Sequence, residues 1–200
     1  NNVQVKTVTA DFFMQKPPFL RNNKTSDYLK KLIKIANEID IKYIIVPLVD
    51  NSSIKKKYNE KQIIDYFKSL HTSIKFKKVK ILFELDLSPN KLVKFIYKLN
   101  KSFGINYDIG NSASYGYNFE DEKKYFHNVF NVHIKDRKIN GGSVPLGKGD
   151  VEFSKFFLFL KKIKYSGLLI LQTYIPKDKL ALENTIKNYK FVRKFYEKEK

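Results

Sequence analysis

Val79-Lys80-Ile81-Leu82-Phe83-Glu84 is a short apolar run that stops on a carboxylate. Three more runs along the chain have the same form. Ile105-Asn106-Tyr107 leads to Asp108, Val129-Phe130-Asn131-Val132 to His133, and Leu168-Leu169-Ile170-Leu171 to Gln172. Short, mostly apolar runs of this kind are expected of parallel strands buried on both faces. Where such strands alternate with helices in a barrel, the residues at their C-terminal ends converge on one site. Two carboxylates, an imidazole and an amide oxygen gathered there make a metal-ligand set, and that points to an enzyme.

Outward from these runs the chain alternates strand and helix. A first strand is expected over about Val3–Ala10, with Ser26 capping a helix that ends near Ile39. A second strand covers Tyr43–Val49 and a helix follows at about Glu60–Leu70. After Glu84, Ser88-Pro89 reads as a helix start, with Ser as N-cap and Pro at the first helical position. Gly104 is placed where that helix should stop. A helix near Glu120–Phe126 separates Asp108 from the fifth strand. The long loop Lys135–Asp150, which carries Gly141, Gly142, Gly147 and Gly149, separates His133 from a helix at about Phe153–Ile163. After Gln172 a basic helix runs from about Lys179 to Glu197. Six strand-helix units are visible.

Composition narrows the choices. Two hundred residues with 42% hydrophobic side chains suit one domain with its own core. No apolar run approaches the roughly 18 residues of a membrane span, and the N-terminus has no secretory pattern. Cysteine is absent, which excludes disulfides and thiolate metal sites; a cytoplasmic location is expected. The net charge of +19 invites a nucleic-acid reading. Lysine is spread along the whole chain rather than gathered in one stripe, so a solvated surface is favoured over a nucleic-acid partner.

The stretches Tyr107-Asp-Ile-Gly-Asn111, Val132-His-Ile-Lys-Asp-Arg137, Pro145-Leu-Gly-Lys-Gly-Asp150 and Tyr165-Ser-Gly-Leu-Leu-Ile-Leu-Gln172, with looser matches at Thr9–Met14 and Ile45–Pro47, carry a family resemblance. In order and position the chain resembles the sugar phosphate isomerase/epimerase superfamily of xylose-isomerase-like TIM barrels. The resemblance implies an α/β fold of the (β/α)8 barrel type. A closed barrel has eight units in about 250 residues. The count and the resemblance together lead to the expectation that residues 1–200 are a single domain lacking the first two units. Such a barrel would have unpaired edges, and self-association of the chain is expected.

The resemblance also implies a divalent metal held by Glu84, Asp108, His133 and Gln172. The mostly hard donor set favours Mn2+ or Mg2+ over Co2+ or Zn2+. It implies a sugar or sugar phosphate as substrate and an enediolate intermediate, with Glu84 as candidate base. Asn111 is a candidate for a sugar hydroxyl. Lys135, two residues beyond His133, is a candidate for stabilising oxyanion charge. Arg137 and the amides of Gly141, Gly142 and Ser143 are candidates for a phosphate or acidic group. Asp136 either orders the loop or supports a ligand.

Gln172 departs from the pattern: many relatives have Glu there, and an amide accepts no proton at neutral pH. Two other readings stand beside the isomerase. An abasic-site endonuclease of the same superfamily needs several histidine ligands, whereas this chain has three histidines, and His71 and His127 fall on or beside helices. A non-catalytic or degenerate sugar-binding barrel is the other.

Overall fold

The computed structural model describes residues 3–20, 24–55, 60–74, 76, 78–176 and 181–197. The chain divides into two compact units, Asn1–Asn106 with Glu120–Val129, and Tyr107–Phe119 with Phe130–Lys200.

The first unit alternates β1 (Thr7–Thr9), α1 (Lys24–Glu38), β2 (Tyr43–Leu48), α2 (Glu60–Ser73), β3 (Lys80–Leu85), α3 (Pro89–Ile96) and the start of β4 (Phe103–Asp108). Strands β1 to β4 pair in chain order and in parallel, with Thr9 opposite Ile45, Pro47 opposite Glu84, and Leu82 opposite Gly104. The helices form because their apolar residues recur every three or four positions. Leu29, Ile33 and Ala36 make the buried face of α1, and Ile63, Ile64, Phe67 and Leu70 that of α2. Under them lies an aromatic cluster. Phe67 meets Phe83 edge-on at 4.7 Å between ring centres, Phe83 stacks on Phe103 at 5.8 Å, and Phe95 closes on Phe83 at 5.5 Å.

Two local expectations are corrected here. Ser26 lies inside α1 rather than at its cap, and its hydroxyl pairs with the Tyr66 hydroxyl at 3.0 Å. Gly104 does not end α3. That helix stops at Ile96, where the amides of Lys98 and Leu99 turn tightly onto the carbonyls of Phe95 and Ile96, and Gly104 is a buried residue of β4. Ser88 does stand at the N-cap before Pro89, though its side chain makes no capping bond.

The second unit begins with the end of β4 and runs through α4 (Ile109–Tyr115) into the start of α5 (Phe119–Glu122). It resumes in β5 (Val129–Ile134), a hairpin of β6 (Asp136–Arg137) and β7 (Ser143–Val144), α6 (Phe153–Lys162), β8 (Leu168–Leu171) and α7 (Ala181–Glu197). The expected start of the last helix at Lys179 lies outside the described residues. Strand β8 is parallel to β5, with His133 opposite Ile170 and Ile134 opposite Leu171. The core of this unit is again aromatic: Phe157 stacks on Phe195 at 4.9 Å, and Phe153 meets Phe191 edge-on at 5.2 Å.

Within the first unit the strand order is β1-β2-β3-β4, and within the second β5 and β8 are neighbours, with β6 and β7 apart as an antiparallel pair. This is the strand-helix alternation of the TIM-barrel fold, in six units. Strands β2 to β5 are nearly continuous in burial, as expected of parallel strands covered on both faces. β8 differs from that expectation: it lies beside β5, and all four of its residues are partly exposed. Among the described residues no helix is long and apolar enough to cross a membrane.

Phe67 is fully buried and touches several rings of the first cluster. Phe67→Ala is expected to cost about 3–5 kcal/mol, measured as a loss of urea midpoint at unchanged slope. A change below about 1 kcal/mol would remove the cluster from its place as the unit's core.

Candidate functional site

Glu84 is the fifth residue of β3 and is 8% exposed. The side-chain amide of Asn106 donates to its Oε2 at 2.7 Å. Asn106 is itself 2% exposed. The bond orients the carboxylate at the strand's end and compensates part of the cost of its burial. Two residues on, Asp86 accepts a hydrogen bond from Ser53 Oγ at 2.8 Å, and both are buried. Asp50 and Asp11, the other carboxylates that follow strands, are exposed and open short 3-10 turns.

In the second unit Asp108 ends β4 and caps α4. Its Oδ1 accepts the backbone N–H of Asn111 at 2.7 Å. A carboxylate is a strong helix cap because it satisfies an amide the helix leaves open. The helix closes at Gly116, whose φ of 65° suits a residue without Cβ. The same Asp108 side chain presents Oδ2 to the ammonium of Lys135 at 3.5 Å. Lys135 follows β5 directly, and its ammonium also donates to Gln172 Oε1 over a long 3.4 Å. Gln172 follows β8, is exposed, and is tied to the sheet by its backbone N–H, which donates to the carbonyl of Ile134 at 3.1 Å.

Arg137 is turned inward. Its guanidinium donates to Asn111 Oδ1 at 2.7 Å and to the carbonyl of Gly141 at 2.8 and 3.1 Å. Asn111 and Arg137, two expected substrate residues, are therefore partners of each other. Ser143 pairs with Arg137 across the β6–β7 hairpin, and Gly142 is exposed in its turn.

Asp136 holds this loop together. Its carboxylate is fully buried and accepts backbone N–H groups from Gly147 and Gly149 at 2.8 Å and from Val151 at 3.3 Å. Gly149 comes so close that a Cβ there would lie 2.0 Å from Asp136 Oδ1. Of the two roles read from the sequence, ordering the loop is the one these bonds perform. At the loop's rim Asp150 accepts the backbone N–H of Ile139 at 2.7 Å and pairs with Lys138 at 3.1 Å. The Ile139 amide first, and Lys138 after it, hold the Asp150 carboxyl below its ordinary value.

Glu84 in the first unit and Asp108 and His133 in the second are all buried, and each side chain carries an atom of the kind that ligates a metal ion. The donor set fits a divalent cation: two carboxylates offset its charge, and the imidazole adds a neutral nitrogen. His71 and His127 lie elsewhere. His71 packs against Phe76 and bonds Ser102 Oγ at 3.0 Å, and His127 is exposed beside Tyr97.

Helix α4 and the hairpin were missed by sequence reasoning. The first was signalled by Asp108 as a cap and Gly116 as a stop, the second by Asn140-Gly141, a common hairpin turn. Asn106 was missed because a polar residue inside an apolar run carries no pattern that marks its partner.

Asp136→Asn is expected to destabilise the chain by about 2 kcal/mol, since hydrogen bonds to a charged acceptor are lost. Gly149→Ala is expected to be at least as damaging; thermal melts of both variants at equal concentration test the pair, and wild-type melting of Gly149→Ala would contradict the close approach. A carboxyl with a depressed pKa contributes above its unfolded value and is lost as pH falls through the folded one. The Ile139 amide resonance is therefore expected to be steady at neutral pH and to shift on acidification below the ordinary aspartate range; a shift centred at or above that range would contradict it.

A family model described as xylose isomerase-like TIM barrel matches residues 3–195. The chain is 30% identical over 99 residues to a Haemophilus influenzae protein named "Putative L-ribulose-5-phosphate 3-epimerase SgbU". That match covers 46% of this chain and 35% of the relative, about a third of its length. A solved xylose isomerase domain protein from Planctomyces limnophilus superposes with a TM-score of 0.72 at 23% identity, over 86% of this chain and 66% of its own. The solved IOLI protein with a bound zinc atom also superposes at 0.72, with 17% identity, over 96% of this chain and 76% of its own. These likenesses between structures concern the fold, and the family match extends over nearly the whole sequence. The chain belongs to the xylose isomerase-like TIM barrel family.

Proposed function

We propose that this chain carries the metal and base residues of a divalent-metal-dependent isomerase or epimerase acting on a sugar or sugar phosphate. The observation that carries the reading is that Glu84, Asp108 and His133 are each buried at or next to the end of their own strand, β3, β4 and β5. The epimerase name of the curated relative supports the same class.

In this reading Asp108 and His133 bind the ion together with Glu84, and the amide oxygen of Gln172 is the fourth donor. When bound, the ion supplies Lewis-acid polarisation of the sugar's carbonyl and adjacent hydroxyl. Mn2+ or Mg2+ suits the donor set best. Glu84 takes the proton alpha to the carbonyl, and Asn106 keeps the carboxylate turned for that task. Lys135 faces the same group of ligands and offsets negative charge that develops on the substrate's oxygens. Arg137 acts first as scaffold, fixing Asn111 against the hairpin. A phosphate group would be met by Arg137 and the amides near Gly142 and Ser143 only by exchange for those internal bonds.

With an amide at position 172, proton transfer rests on one carboxylate. That favours aldose–ketose isomerisation, in which a single base can remove and return the proton on one face, over epimerisation through two opposed bases.

Loss of the base is the sharpest test. With Mn2+ present, a panel of aldoses, ketoses and their phosphates in D2O is expected to show deuterium incorporation at the carbon alpha to the carbonyl, followed by NMR. Glu84→Gln is expected to slow it by on the order of 10²- to 10⁴-fold. Wild-type protein that binds metal and sugar but exchanges no proton would replace this reading with a non-catalytic sugar-binding barrel.

A further inference from the structure

The ammonium of Lys135 lies 3.5 Å from Asp108 Oδ2 and 3.4 Å from Gln172 Oε1. It thus joins two of the four side chains assigned to the ion. Its path is confined. The stem packs on Gly110, where an added Cβ would come 3.0 Å from Lys135 Cγ and 3.1 Å from its Cβ. The carboxylate it faces has a side chain only 1% exposed, while the lysine side chain keeps 20% of its surface in solvent. A carboxylate that deeply buried is costly without a positive charge beside it. Lys135 supplies such a charge from within the second unit.

We propose that Lys135 is a built-in counter-cation of the metal site, holding Asp108 and Gln172 in place and giving way from Asp108 when a divalent ion binds. This rests on the metal-site reading above. Three physical points lead to it. An ammonium and a divalent ion on one carboxylate repel each other, and that repulsion is weakly screened where water is scarce. A lysine with a flexible four-carbon stem and a fifth of its surface in solvent can swing its head outward while the stem stays packed. The ammonium has only hydrogens to donate, so the Gln172 atom facing it is the amide oxygen, the atom that a metal would use. Gln172 is neutral, and a carboxylate in its place would have held the lysine more firmly.

The consequence is a site whose metal affinity is reduced by its own lysine, so that the ion is exchangeable rather than permanently bound. A purely structural ion pair predicts the opposite response to its removal: Asp108 would lose its anchor, and metal binding would weaken or stay the same.

The test is Mn2+ titration of the full chain, followed by the EPR signal of the free ion, for wild type, Lys135→Met, Lys135→Gln, Lys135→Arg and His133→Ala. Neutral Lys135→Met and Lys135→Gln are expected to bind on the order of tenfold more tightly, about 1.4 kcal/mol. Lys135→Arg keeps the charge and is expected to stay near wild type. Equal or weaker binding by both neutral variants would overturn the proposal. So would tightening by Lys135→Arg to the same extent, because the effect would then be one of packing and not of charge. If folded wild type and neutral variants all fail to bind, the metal-site reading itself falls, and this inference with it.

Discussion

A parallel strand covered on both faces has almost no room for a polar side chain except where it emerges from the sheet. That constraint organises this chain. Strands β2 to β5 are nearly continuous in burial, and Glu84, Asp108 and His133 stand at or next to the ends of β3, β4 and β5. Burial makes each of them costly unless it is bonded or paired. Asn106 meets Glu84, and the first turn of α4 together with Lys135 meets Asp108. The features that support these residues are thus the ones the fold would need even without a ligand, and they leave the same atoms suited to one.

The loop after β5 obeys a similar rule. Its backbone would be poorly satisfied over so many residues with so little regular structure. The buried Asp136 carboxylate collects three of its amides, and the β6–β7 hairpin pairs others. Arg137 then fastens the hairpin to Asn111 on α4. Lys135, Asp136 and Arg137 are consecutive and do three different jobs. The first faces Asp108 and Gln172, the second orders the loop, and the third links loop to helix. A glycine at 149 is required by this close packing, whereas a Cβ at Gly142 would meet nothing within 4 Å.

Much of the fold was legible in the sequence because the apolar runs are short, regular and separated by helical periodicity. The ends of β3, β4 and β5 could be read from the residues alone, since a charged or imidazole group stopping an apolar run has a physical meaning. What failed to read was local and had competing explanations. Gly104 resembles a helix stop but serves a strand, because α3 closes on tight turns of its own. Ser26 resembles a cap but bonds Tyr66 from within a helix. The exposure of β8 could not be read, since Leu168–Leu171 is as apolar as any buried strand and burial depends on what covers it in the fold. The mutual engagement of Asn111 and Arg137 was invisible for the same reason: sequence spacing names candidates for a ligand but not the partners they find in each other.

Glu84, Asp108 and His133 are proposed to act together as one metal site. Calorimetric titration of the folded chain with Mn2+, beside its His133→Ala variant, addresses it most directly. The wild type is expected to bind one ion per chain, and the variant to show no measurable binding. Absence of binding in a folded wild type, or undiminished binding in His133→Ala, would contradict it.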